Sequence, residues 1–112
     1  MIVELISVGT EILMGNILNS NTQYLAQKCA LLGMDQFYQV TVGDNYGRMT
    51  DTIKQALGRS DIVILTGGLG PTEDDLTKEV CAEAMGMQLR EDPHTRKQLE
   101  EFFVNNIYTE IP

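Results

Sequence analysis

Ile62-Val63-Ile64-Leu65-Thr66-Gly67-Gly68-Leu69-Gly70-Pro71-Thr72-Glu73-Asp74-Asp75-Leu76-Thr77 runs from an apolar stretch through a glycine-rich turn into a helical pattern. A strand that opens through glycines into a helix presents bare backbone N–H groups to an anion, and the helix dipole adds to the attraction. Gly67, Gly68 and Gly70 let the backbone turn tightly and come close to a ligand. Thr66, Thr72 and Thr77 add hydroxyl donors, and Pro71 stiffens the turn. One aspartate could serve only as a helix cap. Three glycines, three threonines and three consecutive acids exceed what one turn requires.

Charge then constrains the chemistry. Glu73, Asp74 and Asp75 stand where a phosphate would dock, and no Arg or Lys precedes Lys78 in the loop. Like charges about 4 Å apart repel by ~1 kcal/mol in water and several-fold more in a cleft. Phosphate binding here calls for a divalent cation, or else the acids face ribose hydroxyls or ring N–H donors. Asp74 and Asp75 are therefore candidate metal ligands and catalytic groups, suited to Mg²⁺ or a similar hard ion.

Outward from this turn, strands alternate with helices. Residues 2–8 read as a buried strand ending at Gly9, and a polar loop follows to Ser20. A helix runs from about Asn21 to Leu32, with Tyr24, Leu25, Cys29, Leu31 and Leu32 as its apolar face and Gly33 beyond its end. Gln36–Val42 reads as a second strand, and Val42-Gly43-Asp44-Asn45 as a turn that caps the next helix. That helix spans about Tyr46 to Arg59, with Met49, Ile53, Ala56 and Leu57 at helical spacing. The strand from Asp61 to Thr66 is apolar on both faces and is expected to be central. A third helix is expected from near Asp75 to Met85, with Leu76, Val80, Ala84 and Met85 inward. Asp92-Pro93 opens a fourth, striped by Leu99, Phe102 and Phe103.

This βαβαβα pattern predicts an α/β fold, a three-layer αβα sandwich with a mainly parallel sheet, over residues 1–112. A 2-1-3 strand order would bring the loops after the first and third strands together at a topological switch point, where open α/β sheets bind ligands. The first of those loops, Gly9 to Asn21, offers Thr10, Glu11, Asn16, Asn19 and Asn21 for a sugar or base, although Asn19 or Ser20 could simply start the next helix. The chain stops at Ile111-Pro112 with no strand beyond the third. Either a partial, truncated domain or a covering subunit is expected, and a homo-oligomer follows from the second.

At 112 residues the chain is one domain at most. A net charge of −8 with scattered Lys and Arg argues against nucleic acid and anionic membranes as partners. The start lacks a basic leader, and no stretch is apolar for long enough to span a bilayer, so a cytoplasmic location is expected. Cys29 and Cys81 read as small buried hydrophobes rather than a disulfide. His94, Arg48 and Arg59 read as surface residues.

Gly9-Thr10-Glu11-Ile12-Leu13, Gly15, Asn19-Ser20-Asn21, Tyr24-Leu25-Ala26, Val42-Gly43-Asp44-Asn45 and Thr66 through Thr77 together resemble the N-terminal domain of the CinA family. These competence/damage-inducible proteins belong to the molybdopterin-binding superfamily that also contains MoaB and Mog. The resemblance implies the three-layer α/β fold and a dimer or trimer. It also implies an ADP-ribose pyrophosphatase activity on a nucleotide substrate, with a divalent metal and K⁺ as the implied cations. In that reading Gly9, Thr10, Glu11, Asn19, Asn21, Thr66, Gly67, Gly68, Gly70, Thr72 and Thr77 bind substrate, while Asp74 and Asp75 hold the metal. Molybdenum-cofactor members typically carry Arg-Asp where this chain has Asp74-Asp75. That swap replaces a phosphate-binding cation with a metal-binding carboxylate and favours hydrolysis. The alternative is a molybdopterin-binding domain that binds without turnover. The family's Gly-x-Ala-Pro-Gly loop and its C-terminal deamidase domain are both missing from these residues, which leaves the activity of this chain alone open.

Overall fold

The computed structural model describes residues 1–105, with side chains described through Phe102. Its sheet has three parallel strands in the order β2-β1-β3, formed by Asp35–Val42, Ile2–Val8 and Ile62–Thr66 respectively. Around them stand α1 (Thr10–Leu13), α2 (Ser20–Leu31), α3 (Tyr46–Arg59), α4 (Thr77–Ala84) and α5 (Pro93–Asn105).

β1 is the central strand, and its side chains are buried on both faces from Val3 to Val8. Alternation along β1 builds two cores. Ile6 and Val8 point toward α3 and α4, where they meet Met49, Ile53, Ala56 and Val80. Val3 and Leu5 point the other way, onto Cys29 of α2 with Leu25 and Ala26 packed alongside. Helices on both faces make the three layers. Met49, Ile53 and Ala56 recur at helical spacing, which is why α3 docks along one stripe.

The 2-1-3 order is the one observed, and the expectation from apolarity that the strand from Asp61 to Thr66 is central is corrected. β3 lies at the edge, and all five of its residues are only half-buried. Its apolar sequence reflects helices on both faces, not a neighbour on both sides. Several expected inward residues also face solvent: Tyr24, Leu31 and Leu32 on or just after α2, Leu57 on α3 and Met85 after α4. α2 covers its face with the Leu25, Ala26 and Cys29 side alone, so apolar character there overstates burial. Cys81 is partly buried and Cys29 buried, and both are free thiols. Leu99 and Phe102 of α5 are exposed, and the Phe103 side chain and the chain end at Ile111-Pro112 lie outside the described residues.

Arg59 is not a free surface residue. It closes a bidentate pair on Glu4, Nε to Oε1 at 2.9 Å and Nη2 to Oε2 at 2.7 Å, and Ser60 Oγ donates to Oε1 at 2.9 Å. Glu4 is fully buried in the middle of the sheet. The Arg59 guanidinium also lies 3.6 Å from the ring centroid of Tyr38 on β2. A buried carboxylate needs such pairing, because desolvation without it costs several kcal/mol.

Candidate functional site

The loops after all three strands meet at the carboxyl end of the sheet. Ser7 pairs with Thr66 and Val8 with Val42, so the strands end level with one another. Gly9 N donates to Val42 O at 2.9 Å, tying the loops after β1 and β2. Gly67 lies so close to β1 that a Cβ there would sit 2.2 Å from Val8 O, and its φ of +90° suits only glycine. The sequence-predicted pairing of the first and third loops is therefore present.

Within the glycine loop the polar side chains hold one another. Thr72 donates its N–H and its hydroxyl to Asp75 Oδ2, at 3.1 and 2.5 Å. Those bonds keep the Asp75 carboxyl below its ordinary range, the Thr72 hydroxyl first, then the Thr72 amide; burial opposes them, and the Gly70 amide and Lys78 add lesser help. A Cβ on Gly70 would sit 2.7 Å from Asp75 Oδ2, so that glycine is what lets the turn close around the carboxylate. Thr77 anchors the other end: its hydroxyl donates to Gly67 O at 2.7 Å and its amide to Gly68 O at 3.1 Å. Residues 72–76 are consumed by these turns, so α4 begins at Thr77 rather than near Asp75, and Asp75 is not its cap. Thr66 ends β3 half-buried, while Gly67 and Gly70 are exposed. Asp74 is exposed, and no described residue holds its carboxylate.

The first loop is more ordered than a polar loop. Thr10–Leu13 forms a short helix, with Gly9 before it and Glu11 in its first turn. Asp44 reaches across from the loop after β2: its Oδ2 accepts from Thr10 N at 3.4 Å and Thr10 Oγ1 at 3.3 Å, and its own amide donates back to Thr10 Oγ1 at 3.1 Å. Sequence reading gave Asp44 to a turn only; a polar residue next to a helix cap carries no local mark of such a partner. Asn45, as expected, caps α3 by accepting from Arg48 N. Asn19 caps α2 by accepting from Thr22 N at 3.4 Å, and it donates to Ser7 Oγ at 2.8 Å. The capping alternative thus describes the Asn19 side chain. Asn21 stands exposed in the first turn of α2.

The structure brings Gly9, Thr10, Gly67, Gly68 and Val8 together, with Thr72, Asp74 and Asp75 on the same loop. Among the described residues no three His, Cys, Asp or Glu side chains gather to hold a metal by themselves. Mg²⁺ is commonly held by one or two carboxylates and completed by substrate phosphates and water. Asp74, with the Asp75 oxygen that does not accept from Thr72, fits that donor set and not a dedicated protein cage. No described helix is long and apolar enough to cross a membrane.

A profile of the family described as "Probable molybdopterin binding domain" matches residues 4–110. A competence-damage inducible protein of Symbiobacterium thermophilum is 55% identical over 103 residues, 92% of this chain and 24% of that protein. One from Clostridium beijerinckii is 52% identical over 100 residues, 89% of this chain and 24% of that protein. The chain thus spans about a quarter of the length of the curated relatives it matches. Among solved structures, the CinA protein of unknown function from Thermoplasma acidophilum superposes with a TM-score of 0.82 at 30% identity, covering 97% of this chain and 63% of that one. The molybdopterin biosynthesis enzyme MoaB of Thermus thermophilus gives 0.62 at 23% identity, covering 82% and 57%, and supports the fold alone. The chain belongs to the molybdopterin-binding domain family, and within it is similar to the competence-damage inducible (CinA) proteins.

Proposed function

We propose that this domain binds a nucleotide pyrophosphate of the ADP-ribose class between the loops after β1 and β3 and hydrolyses it with a divalent ion. The observation that carries the reading is the glycine loop itself. Gly67 is pressed against Val8 at the end of the central strand. Beside it Asp74 is left exposed, with no described partner.

The exposed backbone at Gly67 binds one phosphate through its N–H group. Thr10 and Glu11, in α1 just after β1, orient the sugar side, and Asp44 keeps Thr10 in place. Asp74 and Asp75 offer carboxylate oxygens on the loop where the pyrophosphate charge would concentrate. A divalent ion bound there supplies neutralisation of that charge and polarisation of the phosphoryl oxygens. The acidic loop repels the anion without it, so binding should depend on the metal. The Asp74-Asp75 pair supports hydrolysis over simple retention of a pterin.

The test incubates this chain with ADP-ribose, FAD and NAD, with and without Mg²⁺, beside a full-length CinA relative as the control for segments the chain lacks. Metal-dependent release of AMP from ADP-ribose supports the proposal. Tight binding of molybdopterin with no AMP from any substrate, in either protein, contradicts it.

A further inference from the structure

Thr77 opens α4 and is one of the few polar side chains that the fold buries, at 3% exposure. Its hydroxyl reaches back across ten residues and donates to Gly67 O at 2.7 Å. Its amide donates to Gly68 O at 3.1 Å. One buried residue of α4 thus holds two successive carbonyls of the loop after β3. Val8 of β1 walls the same two glycines, its O against Gly67 and its Cγ1 against Gly68, and a Cβ on Gly68 would also collide with Thr77 Oγ1. These contacts fix where the loop's donors point. In a trans peptide the N–H lies opposite the C=O, and no described peptide is cis. With the Gly67 and Gly68 carbonyls turned onto Thr77, the amides of Gly68 and Leu69 are turned away from it. Neither amide has an acceptor among the described residues. Gly68 is half-buried and Leu69 exposed. Successive backbone N–H groups turned to one side form a concavity that receives an anion.

We infer that Thr77 is a positioning residue: by holding the Gly67 and Gly68 carbonyls against α4, it turns the Gly68 and Leu69 amides outward as a pair of donors to one phosphate. The inference rests on the proposed nucleotide site for the identity of the anion. The orientation of the two peptides stands without it. Thr77, which the sequence places among the substrate contacts, acts through the backbone and does not touch the ligand. Donors set before the phosphate arrives need no rearrangement on binding. A serine at position 77 keeps the hydroxyl. A valine keeps the side-chain shape, removes the donor and leaves the Gly67 carbonyl free to turn.

The experiment follows amide hydrogen exchange and amide chemical shifts in wild type, Thr77→Ser and Thr77→Val. The probes are ADP-ribose with Mg²⁺, and adenosine with Mg²⁺ as a ligand that lacks phosphate. In free wild type the Thr77 amide should exchange about tenfold or more slowly than those of Gly68 and Leu69. ADP-ribose should move the Gly68 and Leu69 amide protons downfield and slow their exchange, and adenosine should do neither. Thr77→Ser should bind ADP-ribose within about twofold of wild type. Thr77→Val should bind about tenfold or more weakly, with smaller shifts at the two amides. A merely structural threonine would lower stability and leave those ligand-induced shifts as they are in wild type, an outcome that overturns the positioning role. Gly68 and Leu69 amides as protected as that of Thr77 in free wild type overturn it too, and that reading needs no variant to fold. So does ADP-ribose that binds wild type without moving either amide. If wild type binds no ADP-ribose with Mg²⁺, the nucleotide reading fails, and the exchange pattern still decides whether Thr77 orients the two peptides.

Discussion

The middle of β1 and the loop after β3 each hold a carboxylate below its ordinary range, by opposite means. Glu4 is wholly buried and is held down first by the Arg59 side chain, with Ser60 and the Arg59 charge adding to this against the desolvation that pushes it up. Asp75 lies in an exposed loop and is held down mainly by neutral donors on Thr72. One carboxylate is compensated by a cation because burial leaves it no water. The other shapes a turn that must stay open to solvent. The fold therefore depends on charge pairing in the sheet, and the site on hydrogen bonds in the loop. That difference predicts which substitutions unfold the protein and which only disable it.

Arg59→Ala should have the largest effect. It leaves Glu4 buried without its cation and should lower the thermal midpoint by at least about 10 °C. A midpoint within a few degrees of wild type would mean water reaches Glu4 and the pairing matters little.

The same pair sets a pH dependence. A carboxyl whose folded pKa is lowered contributes stability that is present above its unfolded value and lost as pH falls through the folded one. Stability from Glu4 should therefore hold near neutrality and decline from about the ordinary 4.5 downward. Chemical denaturation along a pH series should show this acid decline in wild type and a weaker one in Glu4→Gln, whose side chain does not titrate.

Gly67→Ala should come next. Its Cβ would sit 2.2 Å from Val8 O at a φ of +90°, so loop or strand end must shift. A cost of about 1–3 kcal/mol in denaturant unfolding is expected, with nucleotide binding lost as well. Asp74→Asn should leave stability within about 0.5 kcal/mol, as expected at an exposed site, while lowering AMP release by about 100-fold in a protein that hydrolyses ADP-ribose. Arg96→Ala, which removes exposed contacts to Glu91 and Glu100 on and before α5, should shift the midpoint by no more than about 2 °C.

Much of this was legible in the sequence because it is local or periodic. Strand and helix order, the Asn45 cap and the glycine loop all follow from short-range patterns. Apolarity misplaced β3, since an edge strand flanked by helices on both faces is as apolar as a central one, whereas the 2-1-3 order put it at the edge where it lies. The start of α4 was missed because Asp75 looks like a cap and instead turns back to Thr72. Glu4 in an apolar strand and Arg59 at a helix end are 55 residues apart, and neither carries a local sign of the other. Asp44 reaching Thr10 across 34 residues is the same case at the site. Long-range polar pairs have no period, so hydrophobic patterning cannot find them.

The central claim is that a pyrophosphate nucleotide docks on the Gly67–Thr72 loop beside the end of β1. The most direct measurement is an amide chemical-shift titration of this chain with ADP-ribose, with and without Mg²⁺. The account predicts Mg²⁺-dependent shifts at Gly67, Gly68, Gly70 and Thr72, with smaller ones at Thr10 and Glu11. Shifts that cluster elsewhere, or none at millimolar ADP-ribose with Mg²⁺ present, would contradict it.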